Sequence, residues 1–265
     1  MKFGTLRLKQ AWLCFLVVFG LATTACNPLA GMSTPNRHIV LEADAQELAK
    51  RSAYGISIDA MMNDSMAVIG KRASEISTTN PVIRRDGQNR IILEISADTN
   101  TDHLKNLLLS GGKLEIKLVD ETVSPEEVAT GKPRLGGEIL PFSAGVGSGA
   151  PFIKVRRLGG LNGGSVKEAQ PTFDTNSNEP AVFVQLNELA SKKFAKLSAK
   201  NVGRTVAIIY DGKVIAAPII NEPILGGTVQ IAGNFTVQSA NELALILRSG
   251  QLDMKFDVIE DKAIK

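Results

Sequence analysis

The chain has 265 residues, and its 30 Lys and Arg against 27 Asp and Glu give a formal net charge of +3. Three of the basic residues lie in the first 25 positions, where no acidic residue occurs, so the remainder is close to neutral. A chain without a basic surface cannot neutralise many phosphates, which argues against nucleic acid as a partner.

The amino terminus has the layout of a secretory signal peptide. Lys2, Arg7 and Lys9 precede an apolar run over residues 11–21, and small residues follow it. The run is about half the roughly 20 residues that a membrane-spanning helix needs. We therefore predict a signal peptide over residues 1–25 in preference to a permanent anchor.

Cys26 directly follows the small residues 22–25 and resembles the acylated cysteine of bacterial lipoproteins. Thr23 stands where that pattern prefers Leu, so an ordinary signal peptide with an incidental Cys26 is the alternative. The resemblance implies a lipid anchor on the periplasmic side of the envelope. Asn27 is not the Asp that retains enterobacterial lipoproteins in the inner membrane, which favours the outer membrane over the inner.

Residues 26–36, rich in Pro, Gly and Ser, predict a flexible tether.

The first half alternates between strand and helix patterns. Residues 38–43 predict a strand, and a face of Ala49, Ala53, Ile56, Ala60 and Ala67 predicts one long helix. Asp86-Gly87 predicts a hairpin between strands at 82–85 and 90–95. Leu104, Leu107 and Leu108 predict a second helix, capped by Thr101 and closed by Gly111, before a strand at 113–119. This order is that of a ferredoxin-like fold.

Residues 121–165 are rich in Pro and Gly, and only residues 152–157 have a strand-like pattern. A domain boundary is therefore predicted near Asp120. Beyond it, residues 181–186 predict a strand and Asn187 caps a helix. Asp211-Gly212 predicts a second hairpin, and Thr236 caps a helix with Ala240, Leu243, Ala244 and Leu247 on one face. A short strand at 228–231 and a closing strand at 253–260 complete the pattern.

The last third contains five distinctive segments: residues 201–204 (NVGR), 207–218 (AIIYDGKVIAAP), 220–224 (INEPI), 226–236 (GGTVQIAGNFT) and 240–250 (ANELALILRSG). Together they resemble SecD, a subunit of the Sec protein-translocation machinery. Weaker similarity extends it over residues 38–260.

The resemblance implies an α+β fold, in which a ferredoxin-like base subdomain carries an inserted mixed α/β head. Residues 37–120 plus 250–265 would form the base, and residues 121–249 the head. SecD continues into transmembrane helices that use the proton gradient, whereas this chain stops at Lys265. The expectation is a domain without that motor.

No residue pattern predicts catalysis or a bound cofactor or metal. Ser148 lacks the first glycine of the serine-hydrolase elbow, because Val146 takes its place. His38 and His103 are the two histidines, and neither has metal-ligand spacing. We therefore expect a protein that is not an enzyme.

The resemblance implies an accessory of Sec-dependent export that binds translocating polypeptide, with Sec translocon subunits and unfolded exported polypeptide as partners. The candidate polypeptide-binding residues are the apolar side chains of the loop-rich region: Phe142, Phe152, Ile153, Leu158 and Leu161. Each of them could instead cover the core of the head. The alternative function is a structural docking or scaffold module, on a translocon subunit or another envelope protein, that never touches substrate.

Overall fold

The computed structural model describes residues 37–96, 101–122, 125–130, 137–146, 151–175 and 177–263. The predicted signal peptide, Cys26 and the tether lie outside the described residues. Within the part of the chain that is described, every helix is too short or too polar to cross a bilayer.

One antiparallel sheet is built from both ends of the described chain. Its strands are Arg37–Ala43 (β1), Val82–Asp86 (β2), Arg90–Ile95 (β3) and Phe256–Ala263 (β12), in the order β12-β1-β3-β2. Ile39, Leu41, Ile91 and Leu93 point to one face, which a single core buries against the helices. We call this sheet and its helices the base.

The helices of the base follow β1 and β3. They are Ala45–Ala53 (α1), Ile58–Ile76 (α2) and Thr101–Leu109 (α3). The Asp44 carboxylate caps α1 by accepting from the N–H of Gln46 and Glu47 at 2.8 and 2.9 Å. Leu104, Leu107 and Leu108 of α3 are buried, as predicted.

The prediction of one long first helix is wrong in two respects. The first helix, α1, ends at Ala53, because Gly55 has a φ of 81°, which is outside the range of a right-handed helix. The second helix, α2, begins at Ile58. All five residues of the predicted apolar face are exposed. The buried face consists of Met61, Met62, Ser65, Ile69, Arg72 and Ala73. The prediction relied on alanines at helical spacing, but the small methyl group of alanine fits both the buried and the exposed face of a helix.

The fourth strand of the base was also predicted wrongly. Residues 113–119 do form a strand, Leu114–Leu118 (β4), but it pairs antiparallel with β9 (Val206–Tyr210) and not with the base sheet. β12 takes the fourth place beside β1. The closing segment assigned to the base therefore supplies that strand, and the base range 37–120 stays a prediction. The other predicted boundaries stay predictions.

The remaining elements form the head, a mixed α/β unit of three small antiparallel sheets. In order they are β10-β9-β4, β11-β8-β7 and β5-β6. The further strands are Gly137–Pro141 (β5), Phe152–Arg156 (β6), Val166–Phe173 (β7), Pro180–Leu186 (β8), Lys213–Ala216 (β10) and Thr228–Ala232 (β11). The helices are Pro125–Thr130 (α4), Glu188–Lys200 (α5) and Val237–Ser249 (α6). The sequence patterns missed α4, β5 and β7.

Where the sequence of the head contains a helix cap or a tight-turn motif, the predicted element is found at that position. Asn187 caps α5 by accepting from the N–H of Ala190 at 2.9 Å, and Thr236 forms a capping box with Ser239 on α6. Asp211 and Gly212 form the β9–β10 turn with φ angles of 46° and 80°.

The base and the head have separate hydrophobic cores. The core of the head runs from Leu114 to Leu247 and includes Phe194 and Ile231, whereas the core of the base includes Leu252 and Phe256. A small cluster of Leu107, Leu245 and Ile246 lies between them. The α+β class with a ferredoxin-like base and an inserted head is confirmed.

Candidate functional site

The five side chains predicted to bind polypeptide do not form one surface. Phe142 and Ile153 are half-buried against the Val155 and Val214 cluster, and Phe152 starts the strand that pairs with β5. Leu161 is only 3% exposed and belongs to the core of the head, where its N–H and C=O pair with Ile116. Leu158 is 84% exposed. Leu161 therefore fits the alternative of a core residue, and the roles of the other four stay predictions.

An apolar pocket of ≈ 270 Å³ lies instead between β11 and the segment that follows β10. Phe194 and Ile208 line it from the core side, and Val229 lines it from β11. Ile219 and Ile224 line it from residues 217–227, the segment between β10 and β11. Aliphatic side chains thus dominate a concave surface that is open to solvent.

The segment 217–227 is held in place by backbone hydrogen bonds. The Pro218 carbonyl accepts from the Val206 N–H at 2.9 Å, and the Ile220 N–H donates to the Arg204 carbonyl at 2.9 Å. The Ile224 N–H donates to the hydroxyl of Ser198 on α5 at 2.9 Å. Ile220 is buried in the core, so the segment is a fixed wall of the pocket.

The rim of the pocket exposes large apolar side chains. Ile219 is 58% exposed and Leu225, one residue beyond the lining residue Ile224, is 72% exposed. Val202 is also exposed, and the next residue, Gly203, donates its N–H to the Ile220 carbonyl. Single exposed apolar residues are normal on proteins, but several around one apolar pocket indicate a binding surface.

β11, which supplies the wall opposite Ile219, is an edge strand. Among the described residues it pairs with β8 alone, so its other edge presents unpaired N–H and C=O groups. Its sequence, Thr-Val-Gln-Ile-Ala, contains no charge and no proline. The opposite edge strand of the same sheet, β7, contains Lys167, Glu168 and Pro171, which are residues that discourage strand addition. Of these two edges, β11 is the one suited to accept a further strand.

Outside the pocket, both histidines of the chain lie beside carboxylates. His38 lies 3.4 Å from Glu94 and 3.9 Å from Glu260, while His103 lies 3.6 Å from Glu242. Each histidine thus lies beside a different set of carboxylates. In the described ranges, no group of three or more His, Cys, Asp or Glu side chains could hold a metal.

Sequence patterns alone missed this pocket. Its outer wall, APIINEPILGG at residues 217–227, follows neither a helical nor a strand period. The available signal was an aliphatic segment interrupted by Pro218 and Pro223, which gave a reason to expect ordered apolar loop structure.

Comparison with known families agrees with this architecture. Residues 138–254 match the model described as "SecDF, P1 head subdomain", and residues 62–121 match "Protein translocase subunit SecDF, P1 domain, N-terminal". The first match contains all of the pocket lining except Ile116.

Curated relatives match the chain along most of its length. It is 34% identical to the protein translocase subunit SecD of Rickettsia bellii over 207 residues, which is 78% of this chain and 39% of that protein. It is 32% identical to SecD of Acidaminococcus fermentans over 227 residues, which is 86% of this chain and 44% of the relative. The chain thus spans less than half the length of these relatives.

Two solved structures share the fold. SecDF in a super-membrane-facing form aligns with a TM-score of 0.66 at 26% identity, covering 86% of this chain and 30% of that one. A second structure, described as a membrane component SecDF that enhances protein export, aligns with a TM-score of 0.64 at 26% identity. That match covers 86% of this chain and 100% of the solved one.

Proposed function

Because this chain carries a P1 domain of the SecD family, we propose that the protein is a non-catalytic accessory of protein export that binds the translocating polypeptide in an extended form. The single observation that carries this proposal is the apolar pocket beside the free edge of β11. The relatives named above are translocase subunits, which supports a transport role for this domain.

The geometry suits an unfolded segment better than a folded surface. An extended chain can add to β11 through main-chain hydrogen bonds, which are independent of sequence. One of its aliphatic side chains would enter the pocket next to Ile219 and Val229, where burial removes apolar surface from water. Such binding tolerates many sequences, as a client-binding protein requires.

The proposal places the domain on the periplasmic side of the cell envelope, held there by acylation of Cys26. The amino-terminal sequence supports this anchor, because basic residues, an apolar run and small residues precede Cys26. Mass spectrometry of the mature amino terminus tests it. A diacyl or triacyl adduct on Cys26 is expected, and a free thiol on that residue contradicts the anchor.

The test of polypeptide binding uses the full chain and a fluorescent, reduced and carboxymethylated ribonuclease A as the unfolded probe, with native ribonuclease A for comparison. We expect the unfolded form to bind more tightly. Ile219→Asp should weaken binding by roughly tenfold, because it puts a charge at the mouth of the pocket. Ile259→Asp, at an exposed position of the base, is the matched control and should leave binding unchanged.

Equal affinity for the folded and unfolded probes contradicts the proposal. Leu158→Asp separates the two candidate surfaces, because a loss of binding there would favour the side chains of the β6 region over the pocket. In-cell crosslinking from the Leu225 position addresses the docking alternative. A single stable envelope partner with no exported clients would support a scaffold role instead.

A further inference from the structure

The polypeptide chain crosses between base and head twice, and the two crossings lie side by side. The first is residues 110–113, between α3 and β4, and the second is residues 250–255, between α6 and β12. The N–H of Leu252 donates to the carbonyl of Gly111 at 2.7 Å, which joins the two crossings directly. Any reorientation of the head on the base must therefore change the backbone conformation of these two crossings, which we call the joint.

Arg72 of α2 binds both crossings with one guanidinium group. Its Nη1 donates to the carbonyl of Ser110 at 2.5 Å, and its Nη2 donates to the carbonyl of Gly250 at 2.9 Å. Nη1 also donates to the Leu108 carbonyl in the last turn of α3 at 2.9 Å. A planar guanidinium holds several donors in a fixed arrangement, which suits it to bridging two segments better than the compact ammonium of a lysine.

The burial of Arg72 is costly, which points to a specific role. The side chain is 0% exposed, and its Nε has no hydrogen-bond partner among the described residues. Burial lowers the pKa of Arg72, while the neighbouring Tyr210 and Asp211 act in the opposite direction. Its carbonyl acceptors lie at the carboxyl ends of α3 and α6, where the helix dipoles favour a positive charge.

Asp211 holds the first crossing from the side of the head. It lies at the tip of the β9–β10 turn, and its carboxylate accepts from the N–H of Lys113 at 2.8 Å and from that of Gly112 at 3.2 Å. The hydroxyl of Ser110 donates to the same carboxylate at 3.1 Å. The first crossing is therefore bound on one side by the Arg72 cation of the base and on the other by the Asp211 anion of the head.

The close approach of these groups depends on Gly112. Its φ of 70° is in the left-handed region, and a Cβ there would lie 2.9 Å from Arg72 Nη2 and 3.2 Å from the Gly250 carbonyl oxygen. Only a glycine lets the two crossings and the guanidinium meet.

We infer that Arg72 and Asp211 form a two-sided clasp that sets the orientation of the head on the base. Each of the two parts has its own core, so opening of the clasp leaves both folded. The clasp then determines where the apolar pocket of the head points relative to the base. This inference does not depend on polypeptide binding.

The test is amide hydrogen exchange on the full chain, with Arg72→Gln and Asp211→Asn as variants. Each substitution removes a charged partner of the crossings, so exchange at residues 111–113 and 250–252 should accelerate about tenfold. Amides of β3 and β8, inside the two cores, should keep their protection. Lys192→Gln is the control, because it breaks an exposed ion pair within α5 that involves neither the base nor the crossings.

Orientation is measured separately by the distance between spin labels at positions 64 and 196, in a background where Cys14 and Cys26 are serine. The native chain should give one distance, and the clasp variants a broader or shifted distribution. An unchanged distribution in both variants overturns the inference, as does exchange that rises equally through both cores. If Arg72→Gln fails to fold, Asp211→Asn alone decides, because Asn tolerates the same turn conformation.

Discussion

Arg248 of α6 and Glu75 of α2 are joined by two hydrogen bonds, Nη2 to Oε2 at 2.7 Å and Nε to Oε1 at 3.2 Å. The pair links the head to the base near the clasp, but on the outer surface. The side chains are partly exposed, so the expected contribution to stability is that of a surface ion pair, about 0.5 kcal/mol.

The first prediction concerns the pH dependence of this pair. The hydrogen bond from Arg248 holds the pKa of Glu75 below its ordinary value of 4.5. A carboxylate with a lower pKa in the folded state contributes stability above its unfolded pKa and loses that contribution as the pH falls through the folded value. The stability gap between the native chain and Glu75→Gln, measured by urea unfolding, should therefore be constant near neutrality and close at acidic pH. A gap that persists at pH 2 contradicts this assignment.

The second prediction uses two alanines of α2 that differ only in the face they occupy. Ala67 belongs to the face that the sequence predicted as buried, yet it is exposed, whereas Ala73 is fully buried in the base. Ala67→Glu should change the free energy of unfolding by less than about 0.5 kcal/mol. Ala73→Glu buries an unpaired carboxylate and should cost more than about 3 kcal/mol. Thermal unfolding of both variants decides which face packs against the core, and the reverse order would restore the sequence prediction.

That difference shows where sequence reasoning succeeds and where it fails in this chain. Turns and caps follow from local chemistry, so Asp211-Gly212, Asn187 and Thr236 were all placed correctly. The long-range partner of a strand is not encoded locally. β4 is buried on both faces, and a pattern of that kind does not reveal whether β1 or β9 lies beside it.

The candidate site was harder still to predict. Its walls come from residues that are distant in the sequence, such as Phe194, Ile219 and Val229, and only the tertiary fold brings them together. Of the apolar residues chosen from the loop-rich region, Leu161 was taken into the core. Composition can indicate that a segment is apolar, but which of its side chains remain exposed depends on the packing of the other elements.

The third prediction compares two glycines with similar backbone angles. Gly55 and Gly112 have φ values of 81° and 70°, and a Cβ on Gly55 would meet no atom within 4 Å. Gly55→Ala should cost about 1–2 kcal/mol, which is the strain of the left-handed conformation alone. Gly112→Ala should cost more than about 3 kcal/mol, because the methyl group would also lie 2.9 Å from both Arg72 Nη2 and Ile246 Cγ2. Equal losses in chemical unfolding would show that the joint can relax, and would weaken the clasp.

The fourth prediction concerns Tyr210, whose hydroxyl contacts the Ser110 hydroxyl at the clasp. Burial raises the pKa of Tyr210 to about 12. Absorbance of the folded chain after a rapid pH jump should therefore show a phenol that ionises near that value. Tyr210→Phe removes this transition, whereas Tyr54→Phe, which removes a tyrosine that is 79% exposed, leaves it in place.

The same shift has a consequence for stability that can be measured independently. Between about pH 10 and 12 the unfolded chain loses the phenol proton while the folded chain keeps it, so stability falls as the pH rises, by up to about 2 kcal/mol. The native chain should therefore lose stability relative to Tyr210→Phe across this range, because the lysines that titrate there are common to both. If the stability difference between the two chains is independent of pH, the phenol of Tyr210 is solvated in the folded state, and the joint between base and head is more open than the packing around Arg72 indicates.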